Sequence, residues 1–303
     1  MRVVIVGAGA MGCLFGFLLQ KAEKEVWLLE KHPDLVNHIK KYGIQVEGIS
    51  GEHHVFPQIT TEANEIKVAD LILIFVKAFD TAQAIQDAKP LVGSGSVVLT
   101  LQNGIGNVEE IVKVVGQKQT IAGTTAHGAT VLGVGHIRHA GTGETVVGEL
   151  DGKKTSRLKE IQAFLGSAGI NLQITQDITG LLWSKLLING GINPLTGITG
   201  LRNGELLDYE ETRAIMQRTV NEAKAVVDRK GIHLIYPNHL QKVEAVCQAT
   251  ARNISSMLQD VQNKKKTEMD YINGAILREG KKLSLDMPIN QALINLIHLL
   301  ENV

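Results

Sequence analysis

Two neighbouring stretches, RVVIVGAGAMGCLFGFLLQ at residues 2–20 and EVWLLEK at residues 25–31, decide the fold between them. Arg2 to Val6 is a continuous apolar strand apart from Arg2 itself. Gly7-Ala8-Gly9-Ala10-Met11-Gly12 follows at once and opens a helical run from Cys13 to Gln20. A second apolar strand, Glu25 to Leu29, ends at Glu30, 18 residues after the last glycine. Strand, G-x-G-x-x-G, helix, strand and terminal acid make the fingerprint of a dinucleotide-binding βαβ unit. Gly7 permits the tight turn, Gly9 lets backbone approach a pyrophosphate, and Gly12 lets the helix pack close to the strand. The N-terminus of that helix is then aimed at the phosphates.

Outward from this unit the α/β pattern continues. Gly43 to Gly48 and His54 to Thr60 read as short strands, and Leu71 to Val76 as a buried one ending at Lys77. Thr81 to Leu91 reads as a helix. Ser96 to Leu101 is a further strand, ending at Gln102-Asn103-Gly104. Asn107 to Val115 is a helix with Asn107 as its cap, and Gln119 to Thr125 starts another strand. Thr130 to Glu149, rich in glycine, valine and threonine, reads as a hairpin turning near Thr142-Gly143. An amphipathic helix, Lys154 to Leu165, and a last strand, Asn171 to Thr175, complete this half. Ligands of open parallel sheets sit beyond the C-terminal strand ends, where Glu30, Lys77, Asn103 and His127 fall. By itself Asn103 reads as a turn residue before Gly104, and His127 as a packed histidine as readily as a ligand contact.

From Asp177 onward strand patterns stop. Glu211 to Arg229, His239 to Ser255, Met257 to Arg278 and Asn290 to Leu300 read as helices. The fold class is α/β: a Rossmann-type dinucleotide-binding domain over residues 1–176, followed by an all-helical domain over 177–303. The first long stretch of the helical half, Leu181 to Thr196, sets Lys185, Asn189 and Asn193 at i, i+4 and i+8, on one face. Leu182, Leu186, Leu187, Ile188 and Ile192 fill the other faces, so this helix is buried. A buried helix with a lysine and two asparagines in a row pairs them with neighbours or lines a polar cavity with them.

With 303 residues and 44% hydrophobic content the chain has material for two cores. The 31 basic residues balance the 31 acidic ones, which argues against a nucleic-acid or polyanion binder. Lys264-Lys265-Lys266 is short and followed by Glu268, as on a solvated helix face. Cys13 and Cys247 match no metal or redox spacing, so no metal is expected and a reducing compartment fits. The apolar run Leu71 to Val76 is far short of a membrane span. The N-terminus enters a strand directly, without a signal peptide, and a cytoplasmic protein is expected.

Six blocks give the chain a family resemblance: GAGAMG at 7–12, VKAF at 76–79, LQNGIGN at 101–107, TTAHGAT at 124–130, SKLLINGGINPLTGITGLRNGEL at 184–206 and NISSMLQDVQNKKKTEMDYINGAILREG at 253–280. Along its whole length it resembles the ketopantoate reductase (2-dehydropantoate 2-reductase) family. The resemblance implies NADPH-dependent reduction of ketopantoate to (R)-pantoate, on the route to pantothenate and coenzyme A. It implies Lys185 as the general acid, with Glu268 and Asn103 beside it in the catalytic set. It implies a cofactor held by Gly7, Ala8, Gly9, Ala10, Met11, Gly12, Lys31, Lys77, Asn103, Ala129 and Glu268. The substrate would meet Asn103, Lys185, Asn189, Asn193, Asn203, Ser255, Ser256, Met257 and Leu258, with Ser256 on its carboxylate. A small-molecule substrate in a cleft between the halves follows, with no nucleic acid and no membrane; a homodimer is compatible. Read from residues alone, Glu268 is a helix-surface ion pair with Lys264 or Lys265, Ser256 a helical serine bonded to backbone, and Trp183 and Tyr271 packing residues.

One position departs from the family. NADPH-binding members place a basic residue at the end of the second strand to meet the 2′-phosphate, and Lys31 can serve. Glu30, however, is the acid that hydrogen-bonds a free ribose 2′-hydroxyl, so NADH is the alternative cofactor.

Overall fold

The computed structural model describes all residues, Met1–Val303, and divides the chain into two units. The first holds Met1–Gln102 and Asn107–Ile178; the second holds Asn103–Gly106 and Thr179–Val303.

In the first unit, β1 (Val3–Val6) leads into α1 (Ala10–Lys21), β2 (Val26–Leu29) and α2 (Pro33–Tyr42). Then come β3 (Ile44–Gly48), β4 (His53–Val55), β5 (Gln58–Thr60), β6 (Ala69–Ile74), α3 (Thr81–Asp87), β7 (Val92–Thr100), α4 (Asn107–Val115) and β8 (Thr120–Thr125). The series closes with β9 (Gly128–Gly133), β10 (His136–Gly141), β11 (Thr145–Glu149), α5 (Ser156–Gly166) and β12 (Leu172–Ile174). Eight strands form one sheet in the order β12-β11-β8-β7-β6-β1-β2-β5. β1 pairs in parallel with β2 on one side and β6 on the other, so the strand order reverses at β1 and opens a ligand crevice at its C-terminal end. Val3 and Ile5 enter one apolar core and Val4 and Val6 another. The sheet is therefore covered on both faces, which is why its central strands read as unbroken apolar runs.

A second sheet, β4-β3-β10-β9, corrects two readings. The run from His54 to Thr60 is two strands, because Pro57 cannot donate to a ladder. β4 joins the small sheet and β5 the large one. The hairpin turns at Val134-Gly135, between β9 and β10, and not at Thr142-Gly143. Residues 142–144 instead carry the chain from the small sheet to β11, which lies antiparallel to β8. Gly143 marks a close backbone passage: a Cβ there would stand 2.4 Å from the Ala126 carbonyl oxygen.

The second unit is helical: α6 (Ile178–Thr199), α7 (Glu210–Arg229), α8 (His239–Ala249), α9 (Ser256–Gln262), α10 (Asn273–Lys282) and α11 (Pro288–Glu301). Its core gathers Trp183, Leu186, Leu187, Ile192 and Leu195 of α6 with Met216, Val220 and Val226 of α7, Ile276 of α10 and Ile294 of α11. Each such side chain contributes about 1.5–3 kcal/mol by burial. The single helix expected from Met257 to Arg278 is broken over residues 263–272. Lys264 takes φ +51°, and the Thr267 N–H donates to Glu301 Oε1 at 2.7 Å. The Met269 N–H then donates to Thr267 Oγ1 at 3.1 Å. These bonds satisfy backbone groups that a continuous helix would have used, so tertiary contacts compensate for the break.

Candidate active site

The glycine loop is built as its spacing demands. Gly7 has φ +98°, which favours glycine, and a Cβ on Gly12 would stand 1.9 Å from the Gly7 carbonyl oxygen. Helix α1 can pack on β1 only because Gly12 lacks a side chain. Gly9 is the opposite case: a Cβ there would meet nothing within 4 Å, and the residue is exposed. The loop therefore keeps open space over its backbone, the cradle a pyrophosphate requires. Ala8 is buried, Ala10 and Met11 are half-buried, and Cys13 Sγ donates to the Ala8 carbonyl at 3.1 Å. Burial, aided by the Glu30 charge, pushes the Cys13 thiol up to about 12, so it stays protonated.

The strand ends place the other first-unit candidates. Glu30 follows β2 directly and is 7% exposed; Lys31 beside it is exposed and pairs with Asp80 at 2.8 Å. Lys77 follows β6 and precedes the 3₁₀ turn Ala78–Asp80. Ala129 lies in β9 and is half-buried. His127 packs edge-on to Phe15 and stacks on His139, with ring centroids 5.9 and 5.7 Å away. Desolvation and the neighbouring His139 hold its pKa below the ordinary histidine value, the state of a packed neutral imidazole.

In the second unit α6 carries Lys185, Asn189 and Asn193 on one helical face, as their spacing predicts. Lys185 and Asn189 are half-buried and Asn193 is buried. Loss of hydration brings the Lys185 ammonium down to about 8, with the Glu268 carboxylate opposing the fall. Glu268 is therefore not a helix-surface acid paired to Lys264 or Lys265. It stands in the break between α9 and α10, is 7% exposed, and acts electrostatically on Lys185. The break is what turns this carboxylate inward.

Asn103 belongs with the helical unit although β7, which precedes it, is Rossmann sheet. The Ile105 N–H donates to the Tyr271 carbonyl at 2.9 Å, which pins the loop 103–106 to the break that carries Glu268. Gly104 makes that seat: its φ is +84°, and a Cβ would stand 2.4 Å from the Tyr271 carbonyl oxygen. Tyr271, expected as packing, thus serves this site through its backbone. Lys185, Glu268 and Asn103 come from three remote segments of the chain and lie in one unit.

The remaining candidates divide. Ser255 caps α9, its Oγ accepting from the Leu258 N–H at 3.1 Å and lying 2.6 Å from Thr196 Oγ1. Ser256, the first residue of α9, is exposed. Met257 and Leu258 are buried, and Met257 joins the helical core. Asn203 is buried and donates to Thr250 Oγ1 at 2.9 Å, while its Oδ1 has no protein donor.

One residue escaped the sequence reading. Pro194 lies inside α6 and has no N–H for the carbonyl of Gly190, four residues back. Fully buried Asn273 donates to that carbonyl at 3.1 Å and to Asn290 Oδ1 at 3.0 Å. Asn290 donates in turn to Glu222 Oε2 at 2.6 Å. The signal was Pro194 itself, since an orphaned buried carbonyl implies a donor from elsewhere.

The protein has no grouping of three or more His, Cys, Asp or Glu suited to a metal, and no helix long and apolar enough to cross a membrane.

Comparison with known proteins is consistent across the chain. Residues 3–152 match the family model described as ketopantoate reductase PanE/ApbA, and residues 177–301 match its C-terminal model. A 2-dehydropantoate 2-reductase of Archaeoglobus fulgidus is 34% identical over 302 residues, covering 99% of this chain and 98% of that protein. Among solved structures, a PanE/ApbA family ketopantoate reductase from Ralstonia eutropha superposes with a TM-score of 0.91 at 32% identity, covering 100% of this chain and 99% of that one. The ternary structure of D-mandelate dehydrogenase with NADH and anilino(oxo)acetate superposes with a TM-score of 0.94 at 31% identity, with the same coverage.

Proposed function

Since the chain belongs to the ketopantoate reductase family, we propose that it reduces ketopantoate to (R)-pantoate with a pyridine nucleotide, in pantothenate and coenzyme A biosynthesis. It is an NAD(P)-dependent oxidoreductase acting on a CH–OH group. The observation that carries the assignment of roles is the desolvated lysine of α6 beside a buried carboxylate, with the pinned asparagine loop in the same unit.

The nucleotide is held by residues 7–12, where the open face of Gly9 fits a pyrophosphate, with Lys77 and Ala129 of the same unit as further contacts. Lys31 and Lys77 would meet a 2′-phosphate, as NADPH requires; Glu30 would meet the 2′-hydroxyl of NADH. When bound, the reduced nicotinamide supplies the hydride. The protein supplies the proton. Charge builds on the C2 carbonyl oxygen, and the Lys185 ammonium stabilises it and protonates it. With its pKa near 8, the lysine is protonated at neutral pH yet a stronger acid than an unburied lysine, which suits a general acid. Glu268 keeps the ammonium from losing its proton to burial alone. Asn189, Asn193 and Asn203 offer amides to the substrate hydroxyl, Asn203 through its unpartnered Oδ1, and Ser256 offers its hydroxyl to the carboxylate.

Mixing purified protein with ketopantoate and either reduced nicotinamide, and following its absorbance, tests this; no oxidation with either would sink it. A second reading, a D-2-hydroxyacid dehydrogenase of the mandelate type, is favoured by the D-mandelate dehydrogenase superposition. A higher kcat/KM for phenylglyoxylate than for ketopantoate would establish it. For assembly we propose a homodimer, for which the exposed Leu296, Leu299 and Leu300 of α11 offer apolar surface. Sedimentation velocity giving the mass of one chain would refute this. Its place of action is the cytoplasm, where pyridine nucleotides are turned over.

A further inference from the structure

Two site segments of the helical unit meet at one buried amide. Asn273 is the first residue of α10 and is fully buried. It follows the break directly: the Tyr271 and Ile272 N–H groups donate to the Glu268 carbonyl at 2.9 and 3.1 Å, and the Tyr271 carbonyl seats the Asn103 loop. Its Nδ2 donates across to the Gly190 carbonyl of α6 at 3.1 Å, next in sequence to Asn189. Gly190 makes room for this approach, since a Cβ there would stand 3.4 Å from Asn273 Nδ2 and 3.2 Å from Ile276 Cδ1. The orientation of the amide is fixed from behind. Glu222 Oε2 accepts from Asn290 Nδ2 at 2.6 Å, and a carboxylate only accepts, so Asn290 Oδ1 faces Asn273 and takes its second Nδ2 proton at 3.0 Å. Glu222 is held in turn by the Ile289 and Asn290 N–H groups, each at 2.9 Å. Asn273 Oδ1 has no protein donor, so the residue serves through its two N–H bonds with a buried acceptor unpaired.

On the reading of Lys185 and Glu268 as the working pair of the reductase, we propose that Asn273 is a positioning residue: its amide ties α6 to the break in one register and so holds the Lys185 ammonium against the Glu268 carboxylate. Neither element fixes that register by its own backbone. The ladder of α6 lacks a bond at Pro194, where no N–H reaches back to Gly190, and the break has no α-helical ladder. Apolar contacts such as Gly191 on Val220 resist separation but allow sliding, whereas two hydrogen bonds to one amide set direction and distance. Through Gly190, Glu222, Asn273 and Asn290, helices α6, α7, α10 and α11 converge on this point. Proton transfer needs its partners within about 2.6–3.2 Å, and a misplacement of about 1 Å can cost about a hundredfold in rate. A small slip of α6 against the break is therefore enough to matter.

The test compares Asn273→Leu, close in shape but without either donor, with the same change on a Pro194→Ala background. Pro194→Ala gives the Gly190 carbonyl a donor within its own helix, so it restores the satisfied carbonyl but not the link to the break. Asn273→Leu should lower kcat about ten- to hundredfold and leave nucleotide affinity near wild type. It should also move the pH midpoint of kcat/KM below about 8, as Glu268 loses its hold on Lys185. On the Pro194→Ala background its loss of Tm should shrink, while the losses in kcat and midpoint persist relative to Pro194→Ala alone. Recovery of kcat together with Tm would overturn the proposal, because the amide would then only satisfy a carbonyl. Wild-type kcat and midpoint in Asn273→Leu would overturn it as well. Should Asn273→Leu not fold, Asn273→Ser, which keeps one donor, carries the same test with a several-fold fall in kcat; wild-type kcat and midpoint there refute the positioning equally. If the wild-type chain reduces no keto acid, the functional reading falls, and titration of Lys185 by NMR of protein isotopically labelled at lysine Cε decides the positioning: equal midpoints in wild type and Asn273→Leu rule it out.

Discussion

The glycine loop and the break between α9 and α10 both prepare chemistry, but they are built on different length scales. The loop, its strand, its helix and Glu30 lie within thirty residues, and nearest neighbours in sequence do the positioning. The break brings Glu268 to Lys185 and Asn103 from segments far away in the chain, through bonds such as Thr267 to Glu301 and Ile105 to Tyr271. A local device can be damaged without disturbing the distant one, and the reverse holds too. That independence can be measured.

The largest effect is expected from Lys185→Ala. Loss of a positioned general acid lowers kcat about 10²–10⁴-fold, while nucleotide affinity stays near wild type because residues 7–12 are untouched. Lys185→Arg should be poor as well, since guanidinium is a far weaker acid. If Lys185→Ala keeps more than about a tenth of wild-type kcat, the lysine is structural and the division of labour between the two regions collapses.

Within the loop, two glycines should fail in different ways. Gly9→Ala meets no neighbour and should fold with an unchanged Tm, yet lose about ten- to hundredfold in nucleotide affinity because its methyl occupies the phosphate cradle. Gly12→Ala drives a methyl into the Gly7 carbonyl, and overpacking of this kind costs about 1–3 kcal/mol or more, so Tm should drop. Thermal unfolding beside nucleotide titration separates them; equal Tm losses would mean that Gly9 is structural too.

The pH profile tests the remote cluster. The folded-state pKa of Lys185, about 8, lies below its ordinary value, so its proton is held below pH 8 and lost as pH rises through it. Reduction needs that proton, and kcat/KM should fall about tenfold per unit above pH 8, while pantoate oxidation, which needs the free amine, rises through the same midpoint. Between pH 8 and 10.5 the unfolded chain binds the extra proton, so this residue makes stability increase with pH across that window. Glu268→Gln removes the opposing carboxylate and should move the midpoint to lower pH. A midpoint that stays put would mean that Glu268 does not act on Lys185.

The smallest effect belongs to the seat of the asparagine loop. Gly104→Ala forces a side chain into φ +84° against the Tyr271 carbonyl, a strain of about 1–2 kcal/mol. The loop should shift, with kcat/KM for ketopantoate falling several-fold to about tenfold and a modest fall in Tm that reflects the strain. Wild-type kcat/KM in this variant would show that the loop is not part of the site.

Legibility in the sequence followed the same division. The βαβ fingerprint, the Lys185-Asn189-Asn193 face and α4 were readable because each depends on local periodicity. The sequence points to a hairpin turn at Gly143, where the structure has a close passage beside Ala126; the turn lies at Val134-Gly135. The stretch beyond Met257 reads as one helix because Lys264-Lys265-Lys266 are good helix formers and no proline or glycine falls within the break at residues 263–272. Asn273 was missed because its partner is a carbonyl eighty-three residues earlier.

By itself the sequence determined the Rossmann sheet, the helical character of the second half and one face of α6, since apolar strand runs, glycine spacing and helical period are short-range properties of the chain. Only the tertiary structure decided that Glu268 is buried toward Lys185, that Asn103 sits with the helical unit and that Lys31 is bound to Asp80. Each of these rests on a bond or charge between residues tens to more than a hundred positions apart, and such a partner leaves no periodic trace in the residues on either side.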